Sequence, residues 1–115
     1  MSNTVITTVH LPLWLWKELN ALKTRSLVLG KSEFTRTALW NFVYFCSVAK
    51  TTFPDPIVPK ERRRHSTYYI PQILMEKIEE LTQQGYAESV CAFVRIAIYY
   101  EIKKYRKIYP LEVIV

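Results

Sequence analysis

The period of apolar positions along the chain changes in the same order in each half. Thr4 to Leu11 is rich in Val, Ile and Thr and alternates from side to side, which predicts a strand. Pro12 ends it and suits the first turn of a helix. Leu15, Leu19 and Leu22 follow at spacings of four and three, an apolar helical stripe with Lys17, Glu18 and Lys23 elsewhere on the surface. Gly30 breaks that helix. Ser32-Glu33 then opens a second one, Lys31 to about Val48, apolar around much of its circumference as in a helix buried on several sides. In the second half His65 to Ile70 reads as the strand and Pro71 as the helix start, and Leu74, Ile78 and Leu81 repeat the stripe. Gly85-Tyr86 ends that helix, Ser89 is placed as an N-cap, and the last helix runs from Val90 to about Ile108.

The halves match at one offset. Leu11-Pro12 returns as Ile70-Pro71, and Phe34-Thr35-Arg36-Thr37-Ala38-Leu39 returns as Phe93-Val94-Arg95-Ile96-Ala97-Ile98, both 59 positions later. Thr8, Leu15 and Leu22 return unchanged as Thr67, Leu74 and Leu81. A constant offset without a gap means one supersecondary unit written twice. Each unit is too short to bury a core alone, and its single strand needs a partner. The expected architecture is therefore mainly α with a two-stranded antiparallel ribbon (α+β). Unit 1–50 and unit 62–109 form one domain, a tandem pseudo-dimer ordered strand-helix-helix-linker-strand-helix-helix. Pro54, Pro56 and Pro59 make 51–61 a stiff linker, and 110–115 is an apolar tail.

Composition narrows the function classes. The 115 residues suit one domain, and 50% apolar with 14% aromatic content suits an ordered fold. Two glycines leave no material for Gly-rich phosphate loops. A formal charge of +6 favours an anionic partner, nucleic acid or acidic membrane. Cys46 and Cys91 sit in apolar helical stretches without a CxxC or Cys/His cluster, so the expectation is reduced thiols in an intracellular protein, with no metal and no cofactor. The first residues, Met1-Ser2-Asn3-Thr4, do not read as a signal peptide, and Ala38 to Ala49 is too short and too interrupted to span a bilayer. No nucleophile–base pair, purposeful carboxylate pair or metal cluster stands out, so neither an enzyme nor a small-molecule substrate is expected.

Strand, proline, helix, turn and a second helix opening with Ser-Glu-Phe-x-Arg resembles the ribbon-helix-helix family. The matching residues are Val9-His10-Leu11-Pro12 and Gly30-Lys31-Ser32-Glu33-Phe34-Thr35-Arg36, then Tyr68-Tyr69-Ile70-Pro71 and Gly85 through Arg95. The chain departs from a strict repeat in having Gly30 where the second half has Ser89, and Ser32-Glu33 where it has Cys91-Ala92. Such a fused regulator suits a small genome, as in an archaeal virus or plasmid.

The resemblance implies a ribbon that enters the DNA major groove. Alternation turns Thr7, Val9, Leu11, Ser66, Tyr68 and Ile70 towards the core and Ile6, Thr8, His10, His65, Thr67 and Tyr69 outward, and these six are the candidate base readers. Ile6 suits a thymine methyl and the others exchange hydrogen bonds. Without an Arg or Gln near the middle, specificity rests partly on DNA shape. The resemblance also implies phosphate contacts at the second-helix N-termini, Gly30, Lys31 and Ser32 in one half and Ser89, Val90 and Cys91 in the other, though Ser32 and Ser89 equally suit plain N-caps. Arg62, Arg63 and Arg64 form a basic arm ahead of the second strand. Arg36 and Arg95 suit internal hydrogen bonds. Lys103, Lys104, Arg106 and Lys107 suit the negative end of the last helix. Trp14, Trp16 and Trp40 read as core or interface, with Leu13, Trp14 and Trp16 also a candidate patch for self-association along DNA. The expected function is a transcriptional regulator, a repressor by resemblance, on a pseudo-palindromic operator in double-stranded DNA. The alternative is a protein-interaction or structural module, antitoxin-like or DNA-packaging.

Overall fold

The computed structural model describes residues 4–24, 30–50, 52–56 and 63–108, with side chains described up to residue 104. Strand β1 is Thr4–Pro12, followed by helices α1 (Leu13–Thr24) and α2 (Lys31–Ala49); strand β2 is Arg63–Pro71, followed by α3 (Gln72–Gln83) and α4 (Val90–Ile108). The two strands pair antiparallel in a two-stranded sheet.

The expected tandem pseudo-dimer is corrected by this arrangement. The described residues form one two-stranded sheet and four helices in the order β-α-α-β-α-α, with one strand-helix-helix stretch per strand, so the chain is one unit and not two tandem copies. The reason is that neither half is separable. Each strand finds its sheet partner in the other half, and α2 packs on α4, α3 and β2 as well as on α1. Two arginines bind the halves crosswise. Arg36 on α2 donates to the Tyr69 carbonyl of β2 at 3.4 Å, while Arg95 on α4 donates to the His10 carbonyl of β1 at 3.3 Å. Arg95 also makes a two-pronged bond to Asp55, at 3.0 and 2.8 Å, which ties 52–56 to the core.

One hydrophobic cluster takes Val9 and Leu11 from β1, Tyr68 and Ile70 from β2, Leu15, Leu19 and Leu22 from α1, and Leu74, Ile78 and Leu81 from α3. Helix α4 runs through its middle, buried continuously from Ala92 to Ile98. Helix α2 is less enclosed than its composition predicts. Trp40, Tyr44 and Val48 are exposed, because no described element covers that side, and Phe45 stays 47% exposed beside Phe53.

Local chemistry moves some boundaries. Pro12 and Pro71 close the strands and do not begin the helices, since a proline's fixed φ also fits extended backbone: Pro71 has φ −55° and ψ 140° and occupies the N-cap position of α3. Arg63 and Arg64 lie within β2 and not in an arm ahead of it, because β1 is long enough to offer Pro12 and Leu11 as partners. Gly85, at φ 96°, supplies the left-handed residue that ends α3. Its N–H bonds the Thr82 carbonyl at 3.0 Å and the Tyr86 N–H bonds the Leu81 carbonyl at 3.1 Å. Of the expected linker, only 52–56 is described, and the tail 110–115 and Arg62 lie outside the described residues.

Two buried acids depend on staying protonated. Burial pushes the Cys46 thiol up to about 11. Burial also raises Tyr68, while the hydroxyls of Ser66 and Thr35 pull it the other way. The unfolded chain ionises these groups first, so their contribution is complete below pH 9.0 and falls as pH rises, across 9.0 to about 11 for Cys46 and from 10.0 upward for Tyr68. Urea denaturation across this range should show a falling stability whose slope between pH 9.0 and about 11 is reduced in Cys46→Ala. A second expectation concerns the crosswise arginines. Arg95→Met should cost about 2 kcal/mol, since it removes a two-pronged bond to a partly buried carboxylate and a bond to a carbonyl, whereas Arg36→Met should cost under about 1 kcal/mol for one long, exposed bond. Equal losses in urea titrations would contradict this.

Candidate nucleic-acid interface

The strand register brings the six outward residues together as three facing pairs: Ile6 with Tyr69, Thr8 with Thr67, and His10 with His65. All six are exposed. The two threonine hydroxyls are 3.2 Å apart at the middle of the ribbon. The imidazoles of His10 and His65 meet edge to face, with centroids 4.2 Å apart and planes at 72°. At the other end Ile6 and Tyr69 are 64% and 54% exposed, a large apolar investment on a solvent face. Neither strand contains an acidic residue. The face is therefore a hydrogen-bonding centre between an imidazole end and an apolar-aromatic end.

Cations gather beside it. Arg63 is exposed at the start of β2, opposite Pro12. Arg64 turns towards α1, its guanidinium carbon 5.2 Å from the centre of the Trp16 ring. The Lys31 ammonium lies 4.9 Å from the same ring. One indole thus holds two cations by cation–π attraction and brings the start of α2 next to the ribbon. Burial, and then the charge of Lys23, push the Lys31 pKa down. This use of Trp16 is not legible in the sequence, where the residue reads as core or interface; Trp14 meets Tyr99 at 5.6 Å, and Leu13, Trp14 and Trp16 are all half-buried.

The two second-helix starts differ. Helix α2 has Gly30 as its N-cap, extended at φ −174° and ψ 164°, without a side-chain cap bond. The Gly30 carbonyl accepts the first helical bond, from Phe34 N–H at 3.0 Å. Ser32 therefore lies inside the first turn and is not a cap. Helix α4 is capped by Ser89, whose hydroxyl accepts the Ala92 N–H at 3.1 Å, so that oxygen is already engaged. Val90 is half-buried beside it, and the Cys91 thiol donates to the Thr8 carbonyl at 3.6 Å, joining the start of α4 to the middle of the ribbon. Cys91 is half-buried.

The chain matches no family model, no curated protein and no solved structure. Among the described residues no helix is long and apolar enough to cross a membrane, and no three metal-ligating side chains converge.

The unequal caps generate a stability prediction. Ser89→Ala should cost about 1 kcal/mol, whereas Gly30→Ser should gain a few tenths of a kcal/mol, since a Cβ at Gly30 meets nothing within 4 Å. Urea midpoints of the two variants moving in the same direction would refute this account of the helix starts.

Proposed function

We propose that this protein is a transcriptional regulator of the ribbon-helix-helix kind, which inserts β1 and β2 into the major groove of double-stranded DNA. The observation that carries the reading is the exposed ribbon face itself: three facing pairs of side chains, no acid in either strand, and Arg63, Arg64 and Lys31 alongside. A two-stranded ribbon fits that groove. Thr8, Thr67, His10, His65 and the Tyr69 hydroxyl exchange hydrogen bonds with base edges, and Ile6 packs on a thymine methyl. The open N-terminus of α2, with Gly30, Lys31 and Ser32, receives a phosphate on free N–H groups. The start of α4, at Ser89 and Val90, makes the weaker phosphate contact because Ser89 already caps its own helix.

The ribbon ends differ, His10 with His65 at one and Ile6 with Tyr69 at the other, so the operator has two dissimilar half-sites. A protein-interaction role remains the second reading, favoured by the exposed apolar row Trp40, Tyr44 and Val48 on α2.

Selection from random duplex DNA should enrich a short, imperfectly palindromic site. Changing Thr8, His10, Thr67 and Tyr69 together to Ala should abolish the enrichment while leaving the thermal melt intact. Arg64→Ala should weaken binding to all sequences alike and reduce the slope of log affinity against log salt by about 1. Absence of any enriched site would transfer the weight to the interaction reading.

A further inference from the structure

A cavity of about 220 Å³ opens between α2 and α4, on a part of the surface that the DNA reading does not use. Its origin is legible in the packing. Ala38 and Ala97, 59 positions apart, are the small residues that line it on the two helices, and they leave space where larger side chains would meet. Aromatic rings fill the surround. Phe53 meets Phe42 at 5.4 Å, Phe45 at 5.3 Å and Tyr100 at 4.9 Å, so 52–56 supplies one wall of the cavity. Phe42 and Tyr100 lie parallel, 4° apart in plane, with centroids separated by 6.4 Å.

A carboxylate completes the lining. Glu101 is 8% exposed, an unusual position for an acid, and its oxygens accept from Asn41 Nδ2 at 3.3 and 3.4 Å. One of the protein's own ammonium groups, Lys104, lines the cavity, and Lys103 lies outside it over Tyr99 and Tyr100. Lys104 Nζ is 3.1 Å from Glu101 Oε1, and Lys103 Nζ is 5.5 Å from the centre of the Tyr100 ring. Lys104 is itself 58% exposed while the Glu101 carboxylate is 10% exposed, so the ammonium can swing out to water and leave the carboxylate to another cation.

We propose that this cavity binds a small organic cation, an alkylammonium or quaternary ammonium head group, with Lys104 holding its place in the free protein. Aromatic faces attract such a group through their quadrupoles, and a desolvated carboxylate supplies the counter-charge. The volume suits a head group of a few heavy atoms and not a drug-sized molecule. The site stands apart from DNA binding and does not depend on it.

The test compares choline with 3,3-dimethyl-1-butanol, its neutral isostere, by calorimetry on the full chain. Choline should bind at least about tenfold more tightly than the alcohol. Phe45→Leu alters the solvent-side lip and Glu101→Gln removes the charge, and each should weaken choline binding while the melting curve reports that the fold is kept. Lys104→Met should tighten it by removing the resident competitor. Equal binding of choline and the alcohol would show an apolar cavity without cation preference and overturn the proposal. So would no choline binding into the high millimolar range, or affinity unchanged in both Phe45→Leu and Lys104→Met. Should Glu101→Gln fail to fold, the Phe45→Leu and Lys104→Met pair decides the matter alone.

Discussion

The pairing of β1 with β2 is the constraint on which the rest of this protein depends. Among the described residues neither strand has another neighbour in the sheet, and each leads into two helices. An isolated ribbon of two strands is marginal in water, so it needs a covered face. Val9, Leu11, Tyr68 and Ile70 supply that face, and the helices close over it. The arginines then fasten each strand's backbone from the opposite half, so sheet, helices and core become a single cooperative object.

Burial on one face leaves the other free. Core-facing residues determine which side chains turn outward, and the outward ones carry almost none of the packing. Trp16 adds a second coupling, because the ring that packs against the core also holds Arg64 and Lys31. The positive charge beside the ribbon is thereby positioned in part by a ring anchored on the hydrophobic core.

Much of this was legible in the sequence, for definite physical reasons. Alternation in Thr4 to Leu11 and His65 to Ile70 identifies the strands and their faces because one face is apolar, and the Thr8–Thr67 match at a constant offset coincides with their meeting in the register. What the repeat could not reveal is how inseparable its halves are, since sharing of a sheet and core is a tertiary fact. Gly30 and Ser32 show a similar limit. The serine is the better cap by composition, but the backbone enters the helix two residues earlier. Similar apolar content also hides the difference between α2 and α4, because enclosure depends on what packs around a helix. Phe53 and Asp55, in a proline-rich stretch that reads only as linker, became a cavity wall and the partner of Arg95 through long-range contacts that no local pattern announces.

The register has an evolutionary corollary. With Thr4 opposite Pro71 and Pro12 opposite Arg63, inserting or deleting one residue within either strand would exchange its two faces beyond that point, expelling apolar side chains and burying polar ones. Length is therefore frozen in the ribbon while side-chain identity on its outer face is not. Lineages descended from this chain can diversify the exposed pairs by substitution, one position at a time, without renegotiating the core beneath them.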